Sequence, residues 1–119
     1  MPIDREPSME PTTEFFALHL DEGDGDPYVR LVGDLDLIAA PLLRQCLHDH
    51  AGQKITLDFS AVTFMDSTAI GVLVAARNRS AAEAGNGAIV LRNVQPMQRQ
   101  VLSLTGVDDL FDFDDGQVS

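Results

Sequence analysis

Cysteine, positive charge and long apolar runs are all scarce in this chain, and each shortage removes a class of function. A single cysteine, Cys46, in 119 residues supplies neither a disulfide framework nor the ligands of a structural zinc site, and its place in a helical apolar pattern marks it as a small core residue. Eight Lys and Arg against nineteen Asp and Glu give a formal net charge of −11. Neutralising nucleic-acid phosphates needs clustered cations, so this balance argues against a nucleic-acid surface and favours a basic partner. The longest apolar stretch, residues 69–76, falls well short of the roughly 20 residues that span a bilayer, and the acidic, proline-bearing N-terminus has no apolar signal core. A cytoplasmic protein without membrane insertion is expected. The chain also has no Gly-rich phosphate loop ending in Lys-Ser/Thr, no Gly-x-Ser-x-Gly elbow and no histidine pair at metal-binding spacing. His48 and His50 point to different sides of a helix and His19 ends a strand, so the three read as partly exposed histidines. Asp34 and Asp36 do not by themselves make a shared-proton site. The expectation is no cofactor, no metal and no enzymatic activity.

The chain does hold 45% apolar residues, enough for one compact domain at this length. Residues 1–13 and 114–119 are polar and lack apolar periodicity, which predicts a disordered N-terminal tail, a domain over 14–113 and a frayed C-terminus. Residues 14–20 and 28–35 read as strands joined by the acidic, glycine-rich turn 21–27. Leu42, Leu43, Cys46, Leu47 and His50 recur at helical spacing behind Pro41 and ahead of Gly52. Residues 55–59 form a strand, and 60–65 lead to a corner at Asp66-Ser67-Thr68. A helix over 68–84 follows, burying Ile70, Leu73, Val74 and Ala81, leaving Arg77, Arg79 and Glu83 to solvent, and stopping at Gly85-Asn86-Gly87. A strand at 88–91, a helix over 96–105 stopped by Gly106, and an edge strand or packed tail at 110–113 complete the pattern. Strands alternating with helices predict an α/β fold: a small mixed, mostly parallel sheet with helices packed against it.

The most informative run is Val62-Thr63-Phe64-Met65-Asp66-Ser67-Thr68-Ala69-Ile70-Gly71, where an apolar strand ends with two hydroxyls at a helix start. Backbone N–H groups in a first helical turn lack intrahelical partners and carry the positive end of the macrodipole, so a phosphate there is tolerated. Asp, Ser and Thr are equally the ordinary N-cap residues, and residue type alone leaves both readings open. Strand ends that feed helices gather at one rim of a parallel sheet, which would bring this corner beside the acidic loop Gly33-Asp34-Leu35-Asp36.

Together these segments resemble a STAS domain, specifically the stand-alone anti-sigma factor antagonists of bacterial sporulation and stress-response pathways. The resemblance runs over about Phe15 to Phe113 and rests on Gly33-Asp34-Leu35-Asp36, Ala40-Pro41-Leu42-Leu43-Arg44, Leu57-Asp58-Phe59-Ser60, Thr63-Phe64-Met65-Asp66-Ser67-Thr68 and Val101-Leu102-Ser103-Leu104-Thr105-Gly106-Val107. It implies phosphorylation at Ser67, with Thr68 as a secondary acceptor, by a partner that is both anti-sigma factor and serine kinase. It also implies dephosphorylation by a PP2C-type phosphatase, release of a sigma factor to permit transcription, and a partner surface of Gly33, Asp34, Asp36, Asp66, Ser67, Thr68 and Ile70. The alternative within the same fold is a regulatory subunit of a membrane transporter or a stressosome-like assembly. Two residues depart from the family pattern. Ala69 stands where glycine is common and sets a methyl beside the acceptor, with an expected effect on partner fit. Ala39 replaces a capping Ser or Thr, leaving Asp36 or solvent to satisfy the first helix.

Overall fold

Backbone hydrogen bonding in the computed structural model, which describes residues 12–23, 25–83 and 88–114 with side chains excluded at 80–83, resolves the alternating pattern into one sheet with helices against it. The strands are β1 (Thr12–Thr13), β2 (Phe16–Asp21), β3 (Tyr28–Leu35), β4 (Ile55–Met65), β5 (Ile89–Arg92) and β6 (Asp112–Asp114). Between them run α1 (Ala40–Asp49), α2 (Ser67–Glu83), α3 (Pro96–Leu104) and a 3-10 turn at Asp108–Leu110. Spatial strand order equals chain order, antiparallel from β1 to β3 and parallel from β3 to β6. This is the expected mixed α/β sheet.

The core draws on both layers. Phe16 and Leu18 of β2, Val29, Leu31 and Leu35 of β3, and Ile55, Leu57 and Phe59 of β4 pack with Leu43, Cys46 and Leu47 of α1. Ala69, Ile70, Val72, Leu73 and Ala76 of α2 join the same cluster, a stripe at i, i+3, i+4 and i+7 that seats the helix along one face. Val74 is half-buried, Arg77 and Arg79 are partly covered, and Ala81 and Glu83 are side chains outside the described set. Burial, with the Asp49 and Glu22 charges adding to it, pushes the Cys46 thiol up to about 11, so it remains a protonated core group at neutral pH.

Several boundaries differ from expectation. Thr12 and Thr13 pair with Ala17 and Phe16, and Asp114 pairs with Arg92, so strand structure extends into residues assigned to the tails. The rest of those tails, 1–11 and 115–119, and the Gly85-Asn86-Gly87 stop lie outside the described residues. His50 is buried at 9% exposure rather than partly exposed, with Nδ1 2.8 Å from the Cys46 carbonyl oxygen and Nε2 3.6 Å from Glu22.

The largest difference is in β4, which runs unbroken to Met65 instead of ending near Phe59. Its register against β3 shifts twice: Arg30 faces Asp58 but Val32 faces Ala61, and Gly33 faces Val62 but Asp34 faces Phe64. Each shift inserts one extra β4 residue, which turns the following side chains to the other face. Burial therefore changes from every second residue at Ile55, Leu57 and Phe59 to every third at Phe59, Val62 and Met65.

Within β4, Asp58 is 7% exposed and fully engaged. Tyr28 Oη donates to its Oδ2 at 2.6 Å, and the Ser60 N–H and Asn93 Nδ2 donate to Oδ1 at 2.8 and 3.3 Å. Burial alone would raise the Asp58 pKa, but the hydrogen bonds from Tyr28, Ser60 and Asn93 outweigh it and hold the carboxyl below its ordinary 3.8. A depressed folded-state pKa stabilises the fold above the ordinary carboxylate range and loses that contribution as pH falls through the folded value. Acid titration of wild type should therefore show stability falling below about pH 4. Asp58→Asn should flatten that limb and cost about 2 kcal/mol at neutral pH, the range for a hydrogen bond to a charged group. Burial, reinforced by the Asp58 hydrogen bond, pushes Tyr28 up to about 12. Its contribution is complete below pH 10 and lost as pH rises from there through about 12.

Candidate functional site

The parallel register of β3 and β4 builds the site, because it carries both strand ends to the same rim. Asp34 faces Phe64 and Leu35 faces Met65, the Asp66 N–H donates to the Leu35 carbonyl at 3.3 Å, and Thr63 Oγ1 donates to Asp34 Oδ1 at 2.7 Å. The acidic loop and the Asp66-Ser67-Thr68 corner are thus neighbours.

Asp36 and Asp66 do the same local work in these two loops. Asp36 Oδ1 accepts from the Ile38 and Ala39 N–H groups at 3.0 and 3.1 Å, and its carbonyl accepts from Ala40 N–H at 2.9 Å. Asp66 Oδ1 accepts from the Thr68 and Ala69 N–H groups at 2.9 and 3.2 Å, and its carbonyl accepts from Ile70 N–H at 3.3 Å. Ala39 makes no side-chain cap, and Asp36 takes its place. Removing either carboxylate should cost about 1 kcal/mol, the usual loss of a capping side chain. Urea denaturation of Asp36→Ala and Asp66→Ala should give that loss, while Asp36→Asn, which keeps an acceptor oxygen, should stay within about 0.5 kcal/mol of wild type.

Ser67 opens α2 and is exposed, whereas Thr68 is half-buried, so Ser67 presents the more accessible hydroxyl. The N–H groups of Thr68, Ala69 and Ile70 are already engaged by Asp66, so an added phosphate would draw on the macrodipole more than on those donors. Ala69 is fully buried and Ile70 is 6% exposed. The Ala69 methyl therefore enters the core instead of standing against a partner, and Ile70 supports the helix instead of presenting its side chain at the rim.

Gly33 holds a backbone crossing. Its φ is +101° and the Asp34 N–H donates to the Phe15 carbonyl at 2.9 Å; a Cβ built on Gly33 would lie 2.1 Å from that oxygen. Its position is accordingly dictated by chain geometry, and what it presents is the approach of Phe15.

Apolar side chains at this rim were missed by periodicity. Leu37, Ile38 and Phe64 are 65%, 66% and 52% exposed, and Phe15 is 65% exposed. Leu37 and Ile38 fall outside both the β3 alternation and the α1 stripe, which was the available signal. Beyond Phe64, a cleft of about 410 Å³ between β4 and α3 is lined by Val62, Phe64, Met65, Met97 and Val101 among others. Acidic groups flanked by exposed apolar ones suit a protein–protein contact. Among the described residues no group of three or more His, Cys, Asp or Glu could hold a metal ion, and no helix is long and apolar enough to cross a membrane.

Comparison with known protein families matches residues 17–117 to the STAS domain. The chain belongs to the STAS domain family. Among curated proteins, this STAS domain is 28% identical over 93 residues to the anti-sigma-B factor antagonist of Bacillus subtilis (strain 168), covering 76% of the chain and 84% of that protein. Among solved structures, an anti-sigma factor antagonist from Mycobacterium paratuberculosis superimposes with a TM-score of 0.68 at 26% identity, covering 84% of this chain and 86% of that one. The anti-sigma factor antagonist SpoIIAA in its unphosphorylated form superimposes with a TM-score of 0.66 at 27% identity, covering 84% and 90%. Apart from Phe15, the residues that build the rim fall within the matched region.

Proposed function

We propose that this STAS domain is an anti-sigma factor antagonist switched by phosphorylation of Ser67. Its unmodified rim binds an anti-sigma factor with serine kinase activity and so frees a sigma factor for transcription. Transfer of phosphate to Ser67 ends the contact, and a PP2C-type phosphatase restores it. The carrying observation is an exposed hydroxyl at the first position of α2, set beside Asp34, Asp36 and Asp66 and among exposed Leu37, Ile38 and Phe64. In this arrangement the apolar side chains supply contact area and the carboxylates attract a basic partner surface. The antagonists to which the chain is similar, matched over most of their length, support the antagonist reading over a transporter subunit. Incubation with the partner kinase and ATP, followed by site mapping, should locate the phosphate on Ser67. Modification confined to Ser8, Ser80 or Ser103 would overturn the reading.

A further inference from the structure

A second charged feature lies on the helical layer, away from the rim. α1 and α2 pack against each other and leave a cleft of about 400 Å³ lined by Pro41, Arg44, Gln45, His48 and Arg79. The chain has only eight Lys and Arg and three His, yet two arginines and a histidine converge here. Arg44 and His48 stand four residues apart on α1, one above the other on the same face. Arg79 enters from the other helix. Among the described residues, no acidic side chain lines the cleft. Asp49, the one acid of α1, is bound by Gln45 Nε2 at 2.8 Å. Among the described residues, Arg92 pairs with Asp114 and His50 Nε2 lies 3.6 Å from Glu22, and no ion pair includes Arg44, His48 or Arg79.

In a protein with nineteen acidic residues, a cleft that gathers arginines from two helices and has no acid in its described lining is poised for an external anion. Two guanidinium groups approaching from separate helices suit an oxyanion with several charged oxygens, since each planar fork can engage a pair of them. A single carboxylate would satisfy one fork and leave the other cation unmatched. The volume is ample for two linked phosphoryl groups. We propose that the α1–α2 cleft is a binding site for a diphosphate-class oxyanion, held by Arg44 and Arg79 with His48 as a third donor. The site is separate from the phosphoacceptor: Arg79 lies twelve residues beyond Ser67, about 18 Å along an α-helix. Its occupancy therefore stands or falls independently of the switch.

Inorganic pyrophosphate titrated into the full chain, followed by backbone amide NMR at constant ionic strength, tests the site. Saturable shifts should concentrate on Arg44, Gln45, His48 and Arg79. The double variant Arg44→Gln/Arg79→Gln should bind roughly tenfold or more weakly, with Lys54→Gln unchanged as a control for net charge. Matched spectra outside the cleft would confirm that the double variant is folded. Shifts scattered over the surface, a response that stays linear into the millimolar range, or equal affinity in the folded double variant would each overturn the proposal.

Discussion

Gly33→Ala is expected to lower stability by about 3 kcal/mol, a Tm loss of roughly 15 °C for a domain of this size. Two costs combine. The φ of +101° is a conformation that a residue with a side chain adopts only with strain, and the new methyl would sit 2.1 Å from the Phe15 carbonyl oxygen. That oxygen is backbone, so relief requires moving the β1–β2 turn and stretching the bond it accepts from Asp34 N–H. Gly71→Ala provides the contrast. Gly71 is in α2 with no atom within 4 Å of a built Cβ, so alanine should stabilise by about 0.5–1 kcal/mol through helix propensity and a less flexible unfolded chain. Thermal unfolding of both variants measures the difference, and equal Tm values would show that the crossing at Gly33 tolerates a side chain.

Phosphorylation of Ser67 is expected to weaken anti-sigma binding about a hundredfold, equivalent to 2.7 kcal/mol, while leaving the fold intact. The modification adds about −1.5 to −2 charge beside Asp34, Asp36 and Asp66, in a rim whose apolar neighbours would be desolvated on contact. The macrodipole of α2 stabilises that charge by roughly 0.3–1 kcal/mol in the free protein, too little to compensate for burying it against a partner. Ser67→Glu should fall between the two states, with roughly tenfold weaker binding, because one carboxylate carries less charge and fewer oxygens than a phosphate. Ser67→Ala should bind as wild type does and resist inactivation by ATP. Titration calorimetry against the partner reads all four forms, and equal affinities among them would remove the switch.

Much of the architecture is local in origin and was legible for that reason. Pro41 and Gly52 bracket α1, Pro96 and Gly106 bracket α3, and the apolar spacing within each segment reports its own secondary structure. The α/β order and the strand-to-helix corner at Asp66-Ser67-Thr68 follow from such signals, since backbone preference and side-chain period act over a few residues. The resemblance carried by several ordered motifs pointed to the STAS family from the same residues.

What packing decided lies between segments distant in sequence. The two register shifts against β3 broke the period of β4 and hid its continuity from Phe59 to Met65, because a bulge is defined only by the strand opposite. Asp36 and Asp66 read equally as solvated acids and as caps until the turns placed N–H groups on their oxygens. Ala69 and Ile70 follow Ser67 closely in sequence yet face inward, since the rotation of α2 on the sheet determines which side of the helix is buried. The apolar rim at Leu37, Ile38 and Phe64 and the cationic cleft of Arg44, His48 and Arg79 likewise unite residues from separate elements. Sequence supplied the elements and their chemistry; packing decided which chemistry shares a surface, because proximity across a sheet or between helices depends on register and contact rather than on spacing along the chain.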